Sequence, residues 1–216
     1  MNDLALKLAD GLRALGEDPS SHPCDRYLAY IGLLGKWSRA YNLTGIREPG
    51  RMLHYHVLDS LAVLPWVRGP RCLDIGTGAG LPGLILALAR PQLHWVLLDS
   101  NSKKIRFLNE AIRELRVENA ATAHSRIEDF RPQQTFATVI CRALWSAPDL
   151  LRESARLLDA DGRLLVLKGA RPEREFNEEL RRAAEISVHQ LNVPGVATER
   201  TLVVISPRPG ASRAAE

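Results

Sequence analysis

The chain changes rhythm near residue 70. Before that point apolar side chains recur at three- and four-residue spacing. Leu4, Leu8, Leu12 and Leu15 make one stripe; Tyr27, Tyr30, Ile31, Leu34 and Trp37 make a second, with Pro23 near its start. Both spacings predict amphipathic helices. A third helix is predicted over "RMLHYHVLDSLAVLPWV", residues 51–67, and the turn formers of "YNLTGIREPG" separate it from the second. From Arg71 onward short apolar runs alternate with amphipathic stretches. The runs "RCLDI", "HWVLLD", "AATAH", "FATVIC" and "GRLLVLK" predict strands, and helices between them are expected to start near Leu81, Ser102, Ser125, Ala147 and Pro172. This alternation predicts an α/β fold, a parallel sheet with helices on both faces. The last two runs, "EISVHQLNVP" and "RTLVVISP", are joined by a short link containing Gly195 and predict an antiparallel pair at the sheet edge. The expected organisation is a helical N-terminal extension (1–67) packed on a core (68–206), then a disordered tail (207–216).

Composition adds limits to this outline. At 216 residues the chain is long enough for one domain with a full core plus a small extension. Lys and Arg number 29 against 25 Asp and Glu, a formal charge of +4. That permits an anionic partner such as nucleic acid without requiring one. Cys24, Cys72 and Cys141 are far apart and odd in number, so they form neither a disulfide framework nor a zinc spacing. The start "MNDLALKLADGL" mixes charge with apolar residues, unlike a signal peptide, and no apolar run reaches membrane-spanning length. The expected location is the cytoplasm, with no membrane partner and a monomeric state.

The densest chemical signal is "LDIGTGAGLPG", Leu73 to Gly83, with four glycines in eight positions. It fits two fingerprints. Gly78, Gly80 and Gly83 spell G-x-G-x-x-G, the dinucleotide pattern; Gly76, Gly78 and Gly80 spell G-x-G-x-G, with Asp74 two residues ahead. Both expect an acid at the end of the next strand for ribose hydroxyls, and Asp99 serves either. Three features separate them. The dinucleotide register leaves Asp74, Gly76 and Thr77 without a role. Pro82 removes an N–H donor near the helix start, where a pyrophosphate would need it. The closing C-terminal hairpin suits a seven-stranded methyltransferase sheet. S-adenosylmethionine is therefore the expected cofactor, with Asp74 near its α-amino end and the glycine backbone against its methionine moiety.

Several blocks in order carry a more specific resemblance: "YNLTGI", "HVLDSL", "LDIGTGAGLPG", "LLDSNSKKIRFL", "SRIEDF", "CRAL" and "LLVLKG". Over roughly Asp25 to Ile205 the chain resembles the RsmG family, also called glucose-inhibited division protein B. The resemblance implies a class I S-adenosylmethionine-dependent methyltransferase fold, Rossmann-like, with a seven-stranded sheet, a C-terminal antiparallel hairpin and a helical N-terminal extension. It implies N7-methylation of a guanine in 16S ribosomal RNA, position 527 in the 530 loop, with the RNA or the small ribosomal subunit as partner. Carried over by position, cofactor contacts fall on Gly76 and Leu81, on Asp99, Ser100 and Asn101, on Ile127 and Glu128 beside the adenine, and on Arg142. Gly78 and Gly80 join them from the loop itself.

The chemistry of the residues agrees with this assignment. Guanine N7 has an in-plane lone pair and no proton, so methyl transfer needs no general base and rests on alignment. Adenine amino methylation would bring an Asn/Asp-Pro-Pro-aromatic motif after the fourth strand, where this chain reads "CRALWS". Cys141 raises cytosine C5 chemistry through a thiolate, but it ends an apolar run without a preceding Pro and reads as a buried structural cysteine. Arg142 and Lys168 are the candidate catalytic residues, each at the carboxyl end of a strand. Arg142 suits the cofactor carboxylate or the RNA backbone; Lys168 suits guanine O6 or a phosphate. Neither belongs against N7, which gains positive charge. Asn42 and Thr44 either bring the N-terminal loop over the site or merely turn it. His54 and His56 point to different sides of a helix, and no metal is expected. His56 and Asp59 share a face and are expected to pack or bond locally. Candidate RNA contacts are Lys36, Arg39, Arg47, Arg51, Lys103, Lys104, Arg106, Arg171 and Arg174. Other readings left open are a methyltransferase of another acceptor and a non-catalytic adaptor that binds cofactor and RNA.

Overall fold

The computed structural model describes residues 2–142, 146–169, 176 and 178–208. Helix α1 (Asn2–Ala14) and helix α2 (Cys24–Tyr41) form on the two predicted stripes. Leu8 and Leu12 of the first and Tyr27, Tyr30 and Leu34 of the second are fully buried. Helix α2 ends where Asn42 takes a left-handed conformation (φ 52°) and closes its N–H on Ser38 O. Asn42 thus serves the turn.

The third predicted helix is not one helix. It starts as α3 (Pro49–Met52), capped by Glu48, whose carboxylate accepts from the N–H groups of Gly50 and Arg51. It then widens into a π-helical segment (Leu53–Leu58) and returns to a short α4 (Asp59–Leu61). The wide segment carries the Asp59 N–H back to His54 O, five residues earlier. Periodicity at 3.6 residues does not reveal such a segment, whose bonds close five residues back.

The core is one seven-stranded sheet in the order β3-β2-β1-β4-β5-β7-β6. Its strands are β1 (Arg71–Ile75), β2 (His94–Asp99), β3 (Ala120–His124), β4 (Phe136–Arg142), β5 (Leu158–Lys168), β6 (Ala184–Gln190) and β7 (Thr201–Pro207). Neighbours among β1 to β5 run parallel, and β7 pairs antiparallel with both β5 and β6. The expected hairpin is present, with β5 extended N-terminally to Leu158 and β7 reaching Pro207. Residues 209–216 of the expected tail lie outside the described residues.

Successive strand residues face opposite sides of the sheet, so two apolar clusters grow from it. Ile140, Leu165 and Leu202 face α1, α2, the π segment, α5 (Gly83–Ala89) and α6 (Ser102–Glu114). Val139, Leu164 and Val203 face Leu150 and Leu151 of α7 (Ala147–Ser154) and Leu180 of α8 (Glu178–Ala183). The helix expected from Ser125 does not form. Residues 127–129 make a turn, with the Phe130 N–H bonded to Ile127 O at 3.2 Å. Pro132 stops its continuation, and the Arg156 guanidinium takes the Ile127 and Phe130 carbonyls that a longer helix would have used. The helix start expected near Pro172 lies outside the described residues; α8 begins at Glu178.

No described helix is long and apolar enough to cross a membrane. The extension packs on the core at separate points. Tyr30 donates its hydroxyl to Ala79 O in the glycine loop at 2.8 Å. His54 Nδ1 lies 2.8 Å from Pro194 O, in the link between β6 and β7.

Candidate active site

Strand order reverses beside β1, between β2 and β4, where an open α/β sheet places its ligand crevice. The loop leaving β1 is held by two acids. Asp74 is wholly buried, and its Oδ2 accepts from Thr77 Oγ1 at 2.6 Å and from the Gly83 N–H at 2.8 Å. Its Oδ1 is buried with no hydrogen-bond partner among the described residues. Burial pushes the Asp74 carboxyl up to about 7, against the pull of Thr77, the Gly83 N–H and the Arg142 charge. Asp99, also buried, accepts from the Gly78 N–H at 2.9 Å on Oδ2 and from the Asn101 N–H at 2.9 Å on Oδ1, with Lys104 Nζ at 3.4 Å. The two carboxylates bracket the loop, one from the strand below and one from the strand beside it.

The glycines divide into two kinds. Gly76 and Gly78 have φ of 64° and 62°, and a methyl group on Gly78 would meet nothing nearer than Gly76 O at 3.9 Å. That side of the loop is space for a ligand to reach the main chain. On Gly80 the same methyl would sit 2.7 Å from the Leu84 side chain; on Gly83 it would strike Leu97 and Asp74. Those two glycines let the loop lie against α5, α6 and the sheet. Leu81 is buried in the same cluster, and its N–H closes on Thr77 O at 2.9 Å.

Around this loop stand the other residues singled out from the sequence. Ser100 is exposed, and its carbonyl lies 3.1 Å from His124 Nε2. Asn101 caps α6, its side chain accepting from the Lys103 N–H at 2.9 Å. Ile127 is buried and Glu128 exposed, adjacent on the turn after β3. Arg142 ends β4, and Lys168 ends β5 opposite Thr201. Cys141 is buried.

Some of the site was not foreseen. Asp59, from the extension, is buried with Oδ1 2.8 Å from Arg200 Nε and Oδ2 3.7 Å from Arg142 Nη1. Burial raises the Asp59 carboxyl while Arg142 and Arg200 oppose the shift. Arg200 stacks over the Tyr55 ring at 5.6 Å, and Arg51 lies over the same ring at 5.4 Å. Of the two residues expected to pack or bond locally, His56 bonds to Thr44 and to the neighbouring Tyr55 O, whereas Asp59 bonds to the distant Arg200. Tyr55 O can only accept, so Nδ1 donates to it at 3.0 Å, and in the neutral ring Nε2 accepts from Thr44 Oγ1 at 2.9 Å; the Ile46 N–H donates to the same hydroxyl at 3.1 Å. This suits a neutral imidazole: burial, with the Arg142 charge behind it, pushes the His56 pKa down to about 4. Arg200 carried no local signal, since its partner Asp59 lies 141 residues away.

The described basic candidates line more than one groove. Lys36, Arg39 and Arg47 line a groove of about 790 Å³ on the extension, whereas Arg106 lines another beside Trp37 and Glu110. Arg47 is committed to Ser38 O and Asn42 Oδ1. Arg171 and Arg174 lie outside the described residues.

Comparison with known proteins adds independent findings. Residues 24–203 match the family model described as GidB, rRNA small subunit methyltransferase G. A relative named "Ribosomal RNA small subunit methyltransferase G" from Alkalilimnicola ehrlichii is 45% identical over 196 residues, 91% of this chain and 89% of the relative. One of the same name from Escherichia fergusonii is 42% identical over 201 residues, 93% of this chain and 97% of the relative. Among solved structures, a SAM-dependent methyltransferase from Aquifex aeolicus superposes with a TM-score of 0.56 at 18% identity, covering 78% of this chain and 98% of its own. A magnesium protoporphyrin IX methyltransferase from Synechocystis with bound SAM gives 0.59 at 13% identity, covering 82% of this chain and 96% of its own. These two likenesses show the class I methyltransferase fold.

Proposed function

This chain belongs to the GidB family of ribosomal RNA small subunit methyltransferases G, and from that premise we propose that it transfers a methyl group from S-adenosylmethionine to N7 of a guanine in 16S rRNA, position 527 in the 530 loop. It acts as a cytoplasmic monomer on the RNA or on the small ribosomal subunit. The observation that carries the reading is the family match over residues 24–203, from α2 into β7, on a loop with a buried carboxylate oxygen unpaired among the described residues and an open edge at Gly78.

The residues fit the cofactor. Asp74 Oδ1, buried without a partner among the described residues, is an acceptor suited to an α-ammonium group. Asp99 Oδ1 holds one backbone N–H and keeps a second lone pair for a ribose hydroxyl, while Oδ2 takes the Gly78 N–H and Lys104 Nζ. Gly76 and Gly78 offer main chain to the methionine moiety, with Gly80 and Leu81 shaping the loop behind them. Ser100 and Asn101 follow Asp99 along the rim. Ile127 gives apolar surface to the adenine and Glu128 an acceptor for its amino group. When bound, S-adenosylmethionine supplies an electrophilic methyl on a sulfonium.

What this chain's residues do is align the partners. Guanine N7 presents its lone pair without deprotonation, so no side chain has to act as a base. Arg142 holds an anionic group, either the cofactor carboxylate or an RNA phosphate, and Lys168 meets guanine O6 or a phosphate. Both stay off N7.

The test is methyl transfer from radiolabelled S-adenosylmethionine to unmodified small ribosomal subunits and to their extracted RNA, followed by mapping of the labelled nucleotide. A single N7-methylguanine in the 530 loop is expected. Label on another nucleotide, or none with cofactor binding intact by calorimetry, overturns the reading.

A further inference from the structure

Asp59 does not belong to the glycine loop, yet it reaches the edge of the crevice from the extension. Its carboxylate faces two guanidiniums from different strands: Arg142 at the end of β4 and Arg200 just before β7. The two contacts differ in kind. Arg200 is locked, with Nε on Asp59 at 2.8 Å, Nη1 on Thr198 Oγ1 at 2.9 Å and on Glu199 O at 3.0 Å, and its plane over Tyr55. Arg142 stands at 3.7 Å, too long for a hydrogen bond, and keeps 30% of its side chain exposed. Asp59 thus faces two guanidiniums at once, and its looser contact is with the more exposed one, at the carboxyl edge of the sheet.

A carboxylate needed only to neutralise Arg200 would not also have to face Arg142. We propose that Asp59 is a positioning residue: anchored by Arg200, it fixes the direction of the Arg142 guanidinium at the crevice. The inference rests on the reading that Arg142 meets an anionic group of the cofactor or the acceptor. The wide turn at Leu53–Leu58 sets the register of Asp59, since the Asp59 N–H closes on His54 O. A displaced catalytic contact costs up to about a hundredfold in rate, so the effect is measurable.

The test is a double-mutant cycle on kcat/KM with radiolabelled S-adenosylmethionine and unmodified small ribosomal subunits, using Asp59→Asn, Arg142→Ala and both together. Asp59→Asn is expected to lower kcat/KM about 10- to 100-fold beside Arg142, and less than about twofold when Arg142 is already Ala. An equal loss in both backgrounds makes Asp59 a merely structural residue and overturns the inference, as does an unchanged rate beside Arg142. An Arg142→Ala enzyme with full activity instead removes the reading of Arg142 itself. If Asp59→Asn does not fold, Asp59→Glu keeps the charge and shifts it by one methylene; its smaller loss must likewise vanish when Arg142 is Ala.

Discussion

Asp74 and Asp59 are both almost wholly buried at the same end of the sheet, and they solve the problem of a buried carboxylate differently. Asp59, brought in by the extension, has two guanidinium partners. Asp74, at the root of the glycine loop, has among the described residues a hydroxyl and an amide, and no partner there for its other oxygen. A buried acid whose charge the protein compensates holds structure in place. One left short of a partner beside an open glycine edge is set up to be completed by something that binds.

The largest expected effect tests the first half of that contrast. Asp59→Ala leaves Arg200 without its buried partner, and urea unfolding should show a loss of about 3 kcal/mol, the size expected when one member of a buried pair is removed. A change below about 1 kcal/mol would mean that the pair is no better than a surface one. The second half predicts the converse for Asp74→Asn: the amide keeps an acceptor for Thr77 and Gly83, so stability near neutral pH changes little, while affinity for S-adenosylmethionine falls about 10- to 100-fold by calorimetry. Unchanged affinity would remove Asp74 from the cofactor site.

Acid sharpens the contrast further. His56, held near 4 by burial, binds its proton less readily when folded, so it lowers stability as pH falls from about 6.5 toward 4. Asp74, raised to about 7, binds its proton more readily when folded, so its contribution is full below about 4 and is lost as pH rises through 7. The two oppose each other. Between pH 6.5 and 5, Asp74→Asn should lose roughly 2 kcal/mol relative to the unaltered protein, and His56→Gln should gain a similar amount. Denaturant melts at the two pH values check both signs; equal slopes in all three proteins would contradict the assignment. The smallest effect is expected from Tyr30→Phe, which removes the bond to Ala79 O and should cost about 1 kcal/mol while weakening cofactor binding modestly.

Legibility in the sequence followed the distance between partners. The strands and the glycine loop could be read because their signals are local: alternating or continuous apolar runs, and Asp74 through Gly83 within ten residues. Asp99 stood out by its place at a strand end. The turn at 127–129 was misread as a helix, because its carbonyls are closed by Arg156, which no local pattern announces. The π segment is hidden inside a plausible helical stripe. The glycine spacing alone did not show that Gly80 and Gly83 answer to Leu84, Leu97 and Asp74, while Gly78 leaves the open edge.

The join between Asp59 and Arg200 also carries a schedule. The two lie 141 residues apart, and at roughly 5–20 residues per second a ribosome takes about 7 to 30 s to make that stretch. Throughout that interval the extension already exists, with its acid lacking the closer of its two arginines. Arg142 arrives first, at the longer distance, and Arg200 completes the cluster only as the last strand emerges. The ion pair that ties the extension to the far end of the chain is therefore completed late, and a nascent chain stalled before β7 would hold these helices over an unfinished sheet.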